Sequence, residues 1–330
     1  MTPSSQLMRI LVLLICALPA ACGGDGGGGE PSPNVVIAKV SGDEQEGMVG
    51  QTLTQPLQVL VTESNAPLPA ATVTWVVEVS DGAFTPASVQ TDANGLAATM
   101  WTLSPRQGVQ MATARVTSGA SNPFLRFTAT AAPDVPATLT KAAGDNQRAM
   151  AGSQLRPIAA MVSDKFENGI AGVAVSWSVS SGTVSPESGL TAFGGISEVN
   201  VVLGRTGGPV TITATADGLT GSPLVFNATA DPIPTEAAIR VGNNLFSSDR
   251  NSSTDPAVDT VAVGASVTWT WVLTGGTPHS VRSLGLPSFA SSTIKTGNGA
   301  THTASFSEAG SYNYDCEVHG SQMTGRVVVR

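Results

Sequence analysis

Apolar and polar residues alternate with a period of two along most of this chain, the signature of strands whose two faces meet different surroundings. Val73, Trp75 and Val77 alternate with Thr72 and Thr74, and Val173, Val175, Trp177 and Val179 occupy every second position. Near the C-terminus Val261 and Val263, then Val267, Trp269 and Trp271, do the same. Turn residues cut these runs short: 36 Gly and 21 Pro in 330 residues is about one residue in six. No stretch has the Ala, Glu, Lys and Leu density of a long helix. The pattern predicts an all-β protein of many short strands, and the length suggests two or three domains.

The chain also repeats itself. Gly42-Asp43-Glu44-Gln45 returns 102 residues later as Gly144-Asp145-Asn146-Gln147, and Gly50, Leu53 and Pro56 return as Gly152, Leu155 and Pro157. Gly82-x-x-Thr85-Pro86 returns as Gly182-x-x-Ser185-Pro186 at an offset of 100. The two lost residues fall in the loop between tryptophan and glycine, where length changes are tolerated. Phe127-Thr128-Ala129-Thr130 matches Phe226-Asn227-Ala228-Thr229. A tryptophan at the centre of an alternating strand suits the space between two sheets. Residues 35–131 and 137–230 resemble the bacterial Ig-like repeats of invasin-type and intimin-type surface proteins, which implies two tandem Ig-like β-sandwiches. Thr91-Asp92-Ala93-Asn94-Gly95 is a frequent turn of that family; its counterpart here reads Thr191-Ala192-Phe193-Gly194-Gly195.

Neither repeat contains a cysteine or histidine. Asp92 with Asn94, and Asp164 with Asn168, lack the spaced carboxylates and closing Glu of a calcium loop, so they read as turn chemistry. The repeats are therefore expected to be spacers, with carbohydrate or protein adhesion as the alternative. Pro133, Pro136, Pro232 and Pro234 mark the two junctions, where proline stiffens a linker.

Beyond residue 237 the repeat stops, and all three histidines lie in what remains. Cys316, His319 and Met323 place a thiolate, an imidazole and a thioether inside eight residues, and His279 lies 37 residues before Cys316, after a strand. Two His and one Cys with a weak axial Met is the donor set of a blue-copper site. Zinc also accepts His and Cys, but a thioether suits it poorly, so one copper ion, cycling between Cu(II) and Cu(I), is the expected cofactor. Cys16 and Cys22 belong to the N-terminal segment, which leaves Cys316 as the sole cysteine of the folded part. A lone thiol in an oxidising compartment is a liability unless buried or metal-bound.

Residues 237–330, with their Gly-x-Tyr-x-Tyr-x-Cys-x2-His…Met run from Gly310 to Met323, resemble a cupredoxin of the plastocyanin/amicyanin/pseudoazurin type. The resemblance implies a Greek-key β-barrel whose copper ligands are His279, Cys316, His319 and Met323. It also implies that His319 lies near the surface in an apolar patch through which electrons leave. Ser280 stands where an asparagine often follows the first histidine, so its hydroxyl is expected to tie the two ligand loops together. Tyr312 and Tyr314 share the parity of Cys316 and are expected in the core or in a tyrosine corner. His302, in Thr301-His302-Thr303, is expected at a solvated strand end.

The first 22 residues are an address. Arg9 precedes an apolar run, Ile10 to Ala17, and Leu18-Pro19-Ala20-Ala21-Cys22 places small residues before a cysteine. This is a secretory layout, too short to span a bilayer. It resembles a bacterial lipoprotein signal whose cysteine, Cys22, is lipidated; Pro19 departs from the usual aliphatic residue, and an ordinary signal peptide is the alternative. Residues 23–34 are Gly-rich, the composition of a flexible tether.

The formal net charge is −8, with 16 Lys plus Arg, which argues against nucleic-acid binding. A copper oxidase needs a second copper centre, and one histidine is left over after His279 and His319. The expectation is therefore an electron carrier rather than an enzyme: a monomer on a lipid anchor in the bacterial envelope, at the outer membrane or cell surface. It would exchange electrons with a transient redox partner such as a cytochrome or oxidoreductase. The repeats, at about 35 Å each from ten-residue strands, would form the stalk. A surface adhesion or structural protein with a copper-stabilised terminal domain is the runner-up, and copper storage or delivery comes third.

Overall fold

The computed structural model describes residues 34–78, 81–117, 121–272 and 274–330. The expected signal segment with Cys22, and residues 23–33 of the expected tether, lie outside the described residues. Among those described, the fold is β throughout apart from one 3-10 turn at Phe193–Gly195, and no helix is long and apolar enough to cross a membrane.

Six sheets face one another in three pairs, each pair closing on its own apolar core. In the first repeat one sheet runs in the order Val35–Ser41, Leu57–Glu63, Leu96–Thr102, Ala83–Thr85; the other runs Gln45–Met48, Phe124–Ala132, Gly108–Val116, Thr72–Val77, Ser88–Gln90. The second repeat has the same order. In both, the short second strand pairs parallel to the last one. The longest repeat strands run nine residues, or about 30 Å at ~3.3 Å per residue, slightly less than the sequence suggested.

The repeated Gly-Asp-x-Gln has a mechanical reason. Gly42 holds φ +86°, and a Cβ there would lie 2.3 Å from the Pro56 carbonyl oxygen. Gln45 then bridges the turn: its Nε2 donates to the Gly42 and Gln55 carbonyls and its Oε1 accepts from the Gln55 N–H. Gln147 does the same with Gly144 and Arg156. Asp43 and Asp145 each accept a backbone N–H from the last strand of their repeat, Thr128 and Asn227, at 2.9 Å.

Trp75 and Trp177 fill the two sandwich cores as the alternation predicts. Their indoles differ in one respect. Trp177 Nε1 donates to Ser197 Oγ at 3.0 Å, whereas Trp75 Nε1 is buried with no partner, because the position equivalent to Ser197 is Ala97.

Asp92 and Asp164 are turn-formers as expected; Asp164 Oδ1 accepts the N–H groups of Phe166 and Asn168. The second of these turns does more, because it also joins the repeats. Asn168 Nδ2 donates to the Pro105 carbonyl at 2.8 Å, and the Gln107 N–H donates to Asn168 Oδ1 at 3.0 Å. Asp164 Oδ2 accepts the Asp134 N–H of the linker, and Lys165 pairs with Asp134.

The C-terminal domain packs the sheet Leu245–Ser248, Glu236–Gly242, Ser266–Trp271, Thr301–Ser305 against the sheet Ala257–Val261, Gly320–Val329, Gly310–Cys316, Arg282–Leu284. Each sheet holds one parallel pairing among antiparallel ones. Trp269, Trp271, Tyr314 and Phe246 are buried between the sheets. Gly325 is required there, since a Cβ would lie 2.0 Å from Tyr314 Cζ.

Candidate metal centre

Three elements converge at one end of this domain. Gly310–Cys316 delivers Cys316 at its last residue, the turn that follows supplies His319, and the segment leading into Arg282–Leu284 supplies His279. The ladder between Gly310–Cys316 and Gly320–Val329 is regular up to Asp315↔Thr324 and then shifts, so that Cys316 pairs with Gly320. Such an irregularity bends a strand and re-aims a side chain; here it closes the Cys316–Gly320 turn, in which the His319 N–H donates to the Cys316 carbonyl.

The side chains meet. Cys316 Sγ lies 3.3 Å from His319 Nδ1 and 3.8 Å from His279 Nδ1. The two imidazoles stack with centroids 4.8 Å apart, and the three donor atoms all lie within 4.8 Å of one another. His279 and Cys316 are fully buried, while His319 is half-buried beside exposed Val318. Met323, the fourth predicted residue, is fully buried in the domain core on the strand after His319. Cys316 forms no disulfide. Burial pushes the His279 imidazole below the ordinary histidine range, and the adjacent His319 pushes the same way. Both favour the neutral imidazole, the form that donates a lone pair.

The two ligand loops are tied by Ser280, which is itself fully buried. Its N–H donates to Cys316 Sγ at 3.5 Å, and its hydroxyl accepts the Glu317 N–H at 3.0 Å. The expected bridge is made by the serine.

The remaining residues divide by position. Tyr312 Oη donates to the Glu308 carbonyl at 2.9 Å, a tyrosine corner. Tyr314 is buried edge-on to Trp269 and Phe246, and burial raises its phenol pKa well above the ordinary value. His302 departs from the expectation of a solvated strand end: it is half-buried, its ring lies 5.7 Å from that of Trp269, and its Nε2 meets the Ala290 carbonyl at 2.8 Å. The loop that covers the open side of its strand makes the difference, and alternation alone does not reveal that loop. Two further features lie outside the sequence expectations. Arg282 grips Asp315, the residue before Cys316, with both arms of its fork, at 2.9 and 2.8 Å. Asp259 is fully buried with Ser248 as the donor to its Oδ1, and burial raises its carboxyl pKa. The parity of Asp259 with Ala257 and Val261 was the available signal for it. Nothing local marks Arg282 as Asp315's partner, since 33 residues separate them.

The profile of the family described as copper binding proteins, plastocyanin/azurin family, matches residues 254–330. Among solved structures, the chain is similar to the purple cupredoxin of Nitrosopumilus maritimus, at 25% identity over 28% of this chain and 99% of that one, with a TM-score of 0.23. It is also similar to the Escherichia coli adhesin FdeC, at 16% identity over 90% and 96% of the two chains with a TM-score of 0.39. A third similar structure is the Yersinia pseudotuberculosis adhesin InvE, at 19% identity over 64% and 63%, with a TM-score of 0.30. Residues 254–330, which contain His279, Cys316, His319 and Met323, thus form a cupredoxin domain of the plastocyanin/azurin family, placed at the end of a chain whose two earlier sandwiches lie outside that match.

Proposed function

We propose that the chain is an envelope-anchored carrier of single electrons, in which one copper ion would be held by His279, Cys316 and His319, with the Met323 thioether as the fourth donor. The observation that carries this reading is the convergence of two imidazole nitrogens and one unpaired thiol sulfur within 4.8 Å. The fit is chemical as well as spatial. The soft thiol and thioether suit Cu(I), the imidazoles suit both oxidation states, and burial favours the neutral form of His279.

Bound copper would supply one-electron exchange between Cu(II) and Cu(I). The protein's part is to keep its donors in place through both states. Ser280 restrains the Cys316 sulfur and the chain just after it, and Met323 is fully buried in the domain core. Of the two histidines, His319 is the one that is not fully buried, and it follows Val318, which is 45% exposed. A redox partner would meet the protein there, in the small, short-lived contact common to such complexes. The sandwiches would act as the stalk, and lipid on Cys22 with the Gly-rich tether would hold it to the outer membrane or cell surface.

The test is to load the purified protein with Cu(II), record its visible spectrum and titrate it with reductant. An intense thiolate-to-copper band that bleaches and returns, and is abolished by Cys316→Ser, supports the carrier. A colourless protein, with unchanged cell adhesion in a Cys316→Ser strain, would favour the adhesion reading instead.

A further inference from the structure

The position of Cys316 is not set by the ladder to Gly320–Val329 alone. The ladder to Gly320–Val329 loses register between Asp315 and Cys316, so the sulfur sits one residue beyond the last regular pair on that side. On the other side Gly310–Cys316 meets Arg282–Leu284, an edge strand of three residues paired as Arg282↔Asp315, Ser283↔Tyr314 and Leu284↔Asn313. Three ladder pairs at an edge are a weak hold. The pair nearest the metal end is reinforced: Arg282 Nε and Nη2 donate to the two oxygens of Asp315 at 2.9 and 2.8 Å. The Asp315 side chain is only 8% exposed. A planar bidentate pair fixes orientation as well as distance, and a largely buried carboxylate without its cation is strongly disfavoured.

Two residues before Arg282 stands Ser280, whose N–H faces the Cys316 sulfur and whose hydroxyl holds the Glu317 N–H. The segment also leans on the covering loop, where Val281 exchanges hydrogen bonds with Ser292. Lys295 of the same loop also exchanges backbone hydrogen bonds with His279, but none of these bonds reaches the strand that carries Cys316, whereas the Arg282 fork does.

We propose that Arg282 is a positioning residue for the metal thiolate: through its fork on Asp315 it locks the 279–282 segment in register with Cys316, so that the Ser280 N–H and the His279 ring meet the sulfur. The proposal deepens the copper reading and rests on it for its consequence, but its geometry belongs to the protein alone.

The test uses the whole chain with Arg282→Gln, which keeps a donor but loses charge and fork, and Arg282→Lys, which keeps charge but loses the fork. In metal-free protein, alkylation of Cys316 by iodoacetamide, followed at its own peptide by mass spectrometry, should quicken several-fold in both variants. Exchange of the Ser280 N–H should quicken with it. After Cu(II) loading, copper affinity should fall about tenfold or more, with a changed balance among the thiolate-to-copper bands. Parent-like alkylation and exchange in Arg282→Gln would overturn the proposal, and so would full rescue by Arg282→Lys, which would leave only a charge effect. If Arg282→Gln does not fold, Asp315→Asn carries the same two metal-free measurements with the same expectation. A parent protein that takes no copper would defeat the copper reading, while the metal-free measurements still decide this one.

Discussion

Replacing Ser280 with alanine deletes one oxygen from a fully buried position. That oxygen is the acceptor, at 3.0 Å, of the Glu317 N–H just past Cys316, and the methyl that remains cannot accept. A fully buried donor left unmade costs roughly 1–3 kcal/mol; Glu317 is itself exposed and this bond only part-buried, which places the cost in the lower part of that range. A loss of about 1–2 kcal/mol corresponds to about five- to thirtyfold in a local opening equilibrium. Hydrogen exchange of the metal-free protein should therefore show the Glu317 N–H exchanging faster by that factor, while the amides of Val35–Ser41 and Thr138–Ala143, in other domains, are unchanged. The backbone N–H that faces Cys316 Sγ survives the substitution, so copper should still bind, but about tenfold or more weakly. Exchange at Glu317 within twofold of the parent would refute the reasoning, since it would show that the turn after Cys316 holds its shape without the serine.

Other expectations follow from the same geometry. Ala97→Ser should give Trp75 Nε1 the partner that Ser197 gives Trp177 and stabilise the first repeat by about 1 kcal/mol, while Ser197→Ala should cost the second about 1–3 kcal/mol; thermal unfolding of both variants checks the pair, and equal effects in the two repeats would contradict it. Gly325→Ala should loosen the C-terminal domain by at least ~1–3 kcal/mol, because its Cβ would fall 2.0 Å from Tyr314 Cζ; near-ultraviolet circular dichroism from the aromatic core is the readout. Burial pulls the Asp164 carboxyl upward, but hydrogen bonds from the Asn168 side chain and from the Asp134, Asn168 and Phe166 N–H groups outweigh it and hold the carboxyl below its ordinary 3.8. A depressed folded pKa contributes stability that is complete above the unfolded value and lost as pH falls through the folded one. The joint between the repeats should therefore be intact at neutral pH and loosen below about pH 4, as exchange at the Asn168 and Gln107 amides would report; loosening that begins near neutrality would count against Asp164.

Much of the architecture was legible because it is periodic. Strands read from every-second-residue patterns, and the repeat showed itself because Gly42 and Gln45 do the same work as Gly144 and Gln147. The cluster of His279, Cys316 and His319 was legible because Cys316 and His319 flank one turn, and His279 was the one other histidine following a strand. Residues whose partners are distant in sequence were misread or missed. His302 looked solvated because the loop that brings Ala290 to it has no pattern. Asn168 looked like a plain turn residue because its second set of partners, Pro105 and Gln107, belongs to the other repeat.

By itself, the sequence determined the β class, the two copies of one sandwich, the separate C-terminal domain and the kinds of donor atom available there. Each of these follows from local spacing, since alternation sets which face a side chain takes and a short turn leaves few places for Cys316 and His319 to go. Only the tertiary structure decided how the donors meet. The slip in register after Asp315, the fork of Arg282 across 33 residues and the Ser280 clasp across 37 depend on two strands lying side by side. Hydrogen-bond geometry fixes such pairs to tenths of an ångström, and sequence spacing carries no information at that scale when the partners come from different strands.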